Sequence, residues 1–146
     1  MNLRSYSILA LDDDPDILTA VRLLLKPHVK QVVIEKRPES LPALLAAHDF
    51  DLVLLDMNYR SPIHTGNEGL FWLRKVKELR PKVAVIMITA YGDIDLAVRS
   101  LKDGAADFVV KPWENDKLLA AIGEALRPGE GSARKAAPKP VAGTEI

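Results

Sequence analysis

The stretch SILALDDDPDILTAVRLLL, residues 7–25, contains a change of period that decides the architecture. Its first five residues, Ser7–Leu11, form a nearly continuous apolar run. A strand with one wet face would alternate, so this run reads as a parallel strand covered on both sides. Three aspartates then interrupt it. Asp14 is positioned to cap a helix with Pro15 at the first position, where a missing N–H costs nothing. Ile17, Val21, Leu24 and Leu25 follow at helical spacing as the apolar stripe.

The same unit recurs along the chain. Val32–Ile34 precedes a helix marked by Leu41, Leu44 and Leu45, and Leu52–Leu55 precedes one marked by Leu70, Leu73 and Val76. Val83–Ile88 is followed by a helix that Asp93 can cap, with Ile94, Ala97, Val98 and Leu101 on one face and Gly104 as its stop. Phe108–Val110 precedes Leu118, Leu119, Ile122 and Leu126. Five strand–helix units in strict alternation predict an α/β domain built on a five-stranded parallel sheet with five helices.

Of 146 residues, Lys plus Arg equals Asp plus Glu at 20 each, which argues against a strongly basic nucleic-acid surface on this domain. With no cysteine, disulfides, thiolate metal sites and cysteine nucleophiles are excluded. The longest aliphatic or Met run, Val83–Ile88, is far short of a membrane span. Ile8–Leu11 followed by three aspartates does not read as a signal peptide, so a soluble cytoplasmic domain is expected. Residues 128–146 hold three Pro, three Gly and no aromatic residue. They read as a flexible linker or tail, leaving 1–127 as the folded domain with 17 basic and 18 acidic residues.

In an open parallel sheet the ligand crevice lies beyond the carboxyl ends of the strands. Read that way, Asp12, Asp13 and Asp14 end the first strand, Asp56 the third, Thr89 the fourth and Lys111-Pro112 the fifth. Carboxylates gathered at one edge repel each other, and burial pushes a carboxyl towards its neutral form. A hard divalent cation such as Mg²⁺ relieves that conflict and lets an anionic phosphoryl group approach. An aspartate there can act as a nucleophile forming an acyl phosphate, with an amine and a hydroxyl on the phosphoryl oxygens.

LDDDPDIL, DLVLLDMN, VIMITA and DFVVKPW, spread over about residues 5–127, resemble the signatures of two-component response-regulator receiver domains. The resemblance implies a flavodoxin-like three-layer sandwich with sheet order 2-1-3-4-5. It implies that Asp56 accepts a phosphoryl group from the phosphohistidine of a sensor histidine kinase. Asp13 and Asp56 would be direct Mg²⁺ ligands, joined by the main-chain carbonyl of Asn58 and, through water, by Asp12. Thr89 and Lys111 match the pair that holds the phosphoryl oxygens, and Lys111-Pro112 the family's cis peptide. Asp14 matches no ligand and remains a helix cap. Such a domain is no enzyme beyond its own phosphorylation and dephosphorylation.

Two departures stand out. Common receivers carry Met-Pro after the acceptor and Gly eight residues on, whereas DMNYRSPIHTGNEG, residues 56–69, puts the corresponding glycine, Gly69, five residues later. This loop, with GNEGLFWL following, resembles receivers of NtrC-type transcriptional activators. That resemblance implies AAA+ and DNA-binding domains beyond the receiver; residues 128–146 read equally as a tether to a further domain and as an end without a role. His64 in the loop reads as solvated. The second departure is Phe108 at the switch-aromatic position, where the lack of a hydroxyl favours burial. If Phe108 switches, the coupled surface is the helix-four, strand-five, helix-five face, through which many receivers form homodimers. Tyr91, two residues past Thr89, is a candidate for shielding the acyl phosphate from water. Trp72 reads as packing and Trp113 as a neighbour of the site.

Asp12 and Asp14 also resemble the nucleophile and acid–base pair of haloacid-dehalogenase phosphatases. Asp16 stands where that family needs Thr or Val, only Glu114 and Asp116 could form its late acidic pair, and Asp56 would be idle. A flavodoxin-like nucleotide module would need a Ser/Thr/Gly-rich phosphate loop where this chain has three negative charges. A pseudo-receiver would lack the acceptor aspartate or the lysine, and both are present.

Overall fold

The computed structural model describes residues 2–57 and 68–127. The elements are β1 (Ser7–Leu11), α1 (Pro15–Leu25), β2 (Gln31–Glu35), α2 (Leu41–Ala47), β3 (Leu52–Asp56), α3 (Glu68–Leu79), β4 (Ala84–Ala90), α4 (Ile94–Lys102), β5 (Asp107–Lys111) and α5 (Asn115–Leu126). Short 3₁₀ turns, Pro38–Ser40 and Tyr91–Asp93, lead into α2 and α4. All strand pairs are parallel and their order is β2-β1-β3-β4-β5, as the resemblance implied.

Alternation within the strands splits the interior into two layers. Leu9, Leu11, Val53, Leu55, Val85 and Met87 pack towards α2, α3 and α4, where they meet Leu41, Leu45, Leu70, Leu73 and Val76. Ile8, Ala10, Leu52, Leu54, Ile86 and Ile88 pack towards α1 and α5, against Leu18, Val21, Leu25, Leu118 and Ile122. Every residue of β1 and β3 is buried, whereas the edge strands β2 and β5 are mostly half-buried. The strands run further than their apolar cores. Asp56 pairs with Ile88, Thr89 with Val110 and Ala90 with Lys111, so Asp56, Thr89 and Lys111 lie within the ladder rather than after it.

Asp14 caps α1 as anticipated, its side chain accepting the amide of Asp16 at 2.9 Å with Pro15 at the first position. Asp14→Ala is expected to lower stability by about 1 kcal/mol, read as a lower urea midpoint at unchanged slope. The α1 stripe turns slightly from the predicted one, with Leu18 fully buried and Ile17 and Leu24 only partly so.

The expectations for α4 need correction. Ile94, Val98 and Leu101, placed on one face with Ala97, are 36%, 47% and 41% exposed, so that face is not buried as a whole. The buried positions are Ala97 and Ser100, and the Ser100 hydroxyl donates to the Ala97 carbonyl. The sheet takes the small side chains, so the large apolar ones are turned outwards. Asp93 makes no side-chain capping bond, because the chain enters α4 through the 3₁₀ turn Tyr91–Asp93. Gly104 does stop the helix, at φ +110°, a conformation that L side chains rarely adopt.

Candidate acidic site

Two-residue periodicity carries the inner layer's alternation to the carboxyl edge of the sheet. Asp12 lies two residues past Ala10, and Asp56 two past Leu54, both on the α1/α5 side of the sheet. Lys111 follows Val109 of β5 by the same step. The carboxylate oxygens contributed by Asp12, Asp13 and Asp56 lie within 4.8 Å of one another. Asp12 and Asp56 are 2% and 1% exposed, while Asp13 faces solvent.

Lys111 closes the cluster from β5. Its Nζ stands 2.9 Å from Asp12 Oδ2 and 3.4 Å from Asp56 Oδ1. Asp12 is held from its other side, where Oδ1 accepts the Asp14 amide at 2.9 Å. Oδ2, also buried, makes no hydrogen bond of regular angle and relies on the ammonium alone. Burial lifts the Asp12 carboxyl above its ordinary value, and the neighbouring Lys111 only partly opposes this. Burial acts to lower the Lys111 pKa, but Asp12 and Asp56 outweigh it and the net shift is upward. The ammonium therefore stays charged through neutral pH.

Thr89, fully buried, falls on the opposite parity, two residues past Met87 of the other layer. Its hydroxyl makes long hydrogen bonds to the carbonyls of Ala90 and Asp93, at 3.3 and 3.5 Å, which tie it to the turn before α4. Phe108 is half-buried against the α2–α4 layer. Tyr91 is 79% exposed at the start of its turn. Trp72 packs partly against the α2–α4 layer and stacks edge-on with exposed Phe71, and Trp113 packs against the α1/α5 layer. The Lys111-Pro112 peptide is cis. Asn58 and His64 lie outside the described residues.

Two features of the site escape a reading by residue type. The lysine assigned to phosphoryl oxygens is already shared between two carboxylates, a fact of register across three strands. Gly69, in the first turn of α3, also packs directly on the backbone of Met57. A Cβ there would lie 2.7 Å from Met57 Cα and O. Its sequence signal is the displaced glycine after the long loop. A groove of about 580 Å³ lined by Tyr6, Phe50, Leu79 and Leu126 sits at the other end of the sheet and shares no residue with the cluster.

Residues 8–123 match the family model of the response regulator receiver domain. Transcriptional regulatory protein ZraR of Klebsiella oxytoca is 34% identical over 128 residues, which make up 86% of this chain and 27% of ZraR. Response regulator protein PilR of Pseudomonas aeruginosa is 35% identical over 119 residues, 82% of this chain and 26% of PilR. The chain thus spans about a quarter of the length of these curated relatives. The crystal structure of the N-terminal signal receiver domain of a Bacteroides fragilis two-component response regulator superposes with a TM-score of 0.75 at 48% identity, covering 82% of this chain and 95% of that one. NtrX of Brucella abortus superposes at 0.73 with 29% identity, covering 84% of this chain and 26% of that one. A family match running from β1 into α5, on a sheet of the same order with its acidic edge intact, makes this chain a receiver domain of a two-component response regulator.

Proposed function

We propose that Asp56 is the phosphoryl acceptor of this receiver and that a sensor histidine kinase is the donor. The observation that carries the reading is the convergence of Asp12, Asp13 and Asp56 with Lys111 at 2.9 and 3.4 Å from two of them. An Asp56 carboxylate oxygen attacks phosphorus, the P–N bond of the donor phosphohistidine breaks, and an acyl phosphate forms. The Lys111 ammonium, charged at neutral pH, can leave Asp56 for an incoming phosphoryl oxygen without losing Asp12. The Thr89 hydroxyl can follow because the bonds it must give up are long.

Mg²⁺ fits the residues present: three carboxylates supply only hard oxygen donors, and one buried oxygen, Asp12 Oδ2, lacks a regular hydrogen bond. Asp13, Asp56 and the main-chain carbonyl of Asn58 would hold it directly and Asp12 through water. When bound, the ion offsets the carboxylate charge that would otherwise repel phosphate. In this reading the domain catalyses only its own phosphorylation and dephosphorylation.

The output reading rests on exposed surface and on relatives. Ile94, Val98 and Leu101 make an exposed apolar stripe along α4, with Tyr91 exposed in the turn before it, which supports homodimer docking through the α4–β5–α5 face, with Phe108, packed against the α2–α4 layer, as the coupled aromatic. ZraR is named a transcriptional regulatory protein, and we extend transcriptional control through AAA+ and DNA-binding domains to the full protein. Residues 1–127 would be the receiver and 128–146 the tether. The charge balance of 1–127 argues that the receiver itself does not bind nucleic acid, and no helix among the described residues is long and apolar enough to cross a membrane. A cytoplasmic site of action follows from the kinase partner.

The test is incubation with acetyl phosphate and Mg²⁺. One hydroxylamine-labile phosphoryl group mapping to Asp56 is expected, and one mapping to Asp12 would overturn the assignment in favour of phosphatase-like chemistry. Tyr91→Ala is expected to shorten the lifetime of that phosphate by opening the path to attacking water. An unchanged or longer lifetime would remove Tyr91 from the mechanism.

A further inference from the structure

Helix α4 is anchored unequally at its two ends. It buries no large apolar side chain, only Ala97 and Ser100 with Leu96 half-covered, whereas α3 buries Leu70, Leu73 and Val76 and α1 buries Leu18, Val21 and Leu25. Little apolar area therefore holds α4 on the sheet, which marks an element of low local stability. Its entrance is loosely held as well. Tyr91 is exposed, a Cβ on Gly92 would touch nothing within 4 Å, and the 3.5 Å bond from Thr89 to the Asp93 carbonyl is weak.

The exit is held firmly. Arg74 of α3 directs Nε and Nη2 at Asp103 Oδ2, at 3.2 and 2.9 Å, where Asp103 closes the last turn of α4. One turn along α3, the Lys77 stem lies against Gly104, 3.3 Å from where a Cβ would be, and its Nζ donates to the Val83 carbonyl at 2.8 Å. Beyond the turn, buried Ala105 and the Ala106 amide bonded to Val85 fix the chain to the sheet. Arg74 and Lys77 are three apart and share one face of α3, from which Arg74 bonds Asp103 and the Lys77 stem lies against Gly104.

We propose that the Arg74–Asp103 fork is a latch that holds α4 in the resting arrangement, so that the helix pivots about its exit when its entrance is released. The consequence for signalling rests on the receiver reading above, because Thr89 is the group whose movement would release the entrance. A partly exposed ion pair is worth little on its own, but the helix itself buries only Ala97 and Ser100, so the pair is a sizeable share of what holds it. Loss of the pair is expected to change the opening equilibrium about two- to fivefold.

The test is amide hydrogen exchange on the metal-free, unphosphorylated 146-residue chain, so the result does not depend on Asp56 accepting phosphate. Arg74→Ala and Asp103→Asn are each expected to speed exchange across residues 94–102 about two- to fivefold, with α1 and α5 unchanged. The reversed pair Arg74→Asp with Asp103→Arg is expected to restore protection. Unchanged exchange in α4, equal acceleration in α1 and α5, or no recovery in the reversed pair would overturn the latch. With acetyl phosphate and Mg²⁺, both single variants are expected to accept phosphate faster by a similar factor, and an unchanged rate would overturn the claim that the latch opposes switching. If even the native chain takes no phosphoryl group on Asp56, the functional reading fails and the exchange result still decides the latch.

Discussion

Asp56→Asn is expected to abolish phosphoryl acceptance while leaving the fold intact. The side chain is 1% exposed at the end of β3 and the replacement has the same shape, so packing in the sheet is preserved. The amide is a poor nucleophile, and no other carboxylate of the cluster holds the same position relative to Lys111 and the strand-three end. The substitution also removes one of the mutually repelling charges around Asp12 and Asp13, so the thermal midpoint without divalent cation should equal or exceed that of the native chain. Intact mass after acetyl phosphate treatment reads the first effect, and a thermal melt reads the second. Acyl phosphate on the Asp56→Asn variant would mean that another carboxylate is the acceptor. A collapsed melting transition would mean that Asp56 is needed for structure, not only for chemistry.

Gly69→Ala is expected to destabilise the domain and slow phosphoryl acceptance together. Two opposed effects decide the sign. Within a helix, alanine is favoured over glycine by up to about 1 kcal/mol. Against this, the new methyl would sit 2.7 Å from both Cα and O of Met57, and that neighbour is backbone, which cannot swing aside. Met57 is further held by the hydrogen bond its amide donates to the Ile88 carbonyl at 2.7 Å. Overpacking against a fixed neighbour costs about 1–3 kcal/mol, so the net result is a loss. Relief requires α3 to move outwards or the chain at Met57 to shift, and Met57 adjoins Asp56. Urea unfolding measures the stability loss, and the acetyl phosphate rate measures displacement of Asp56. A variant as stable as the native chain would show that α3 yields freely. A less stable variant with an unchanged rate would show that the strain does not reach Asp56.

Much of this molecule is legible from residue order alone. Continuous apolar runs alternating with helical stripes identify the parallel sheet, because strands covered on both faces need no polar alternation. Acidic and amine groups at successive strand ends locate the acidic cluster, because parallel strands all deliver their carboxyl ends to one edge. Helix α4 defeats the same reasoning because hydrophobic period reports that a face is apolar, not which partner covers it. The Ile94, Val98 and Leu101 face is turned outwards, and Ala97 and Ser100 meet the sheet.

The one-dimensional pattern by itself determined the fold class, the strand order through family likeness, and the residues of the acidic edge. Only the tertiary structure decided that Lys111 is shared between Asp12 and Asp56, that Thr89 lies on the other parity bonded to the α4 turn, that Gly69 abuts Met57, and that Arg74 reaches Asp103. The physical reason is that alternation and helical period are local consequences of backbone geometry. Contacts between residues far apart along the chain depend instead on strand register and on how each helix rotates against the sheet, quantities that no local pattern carries.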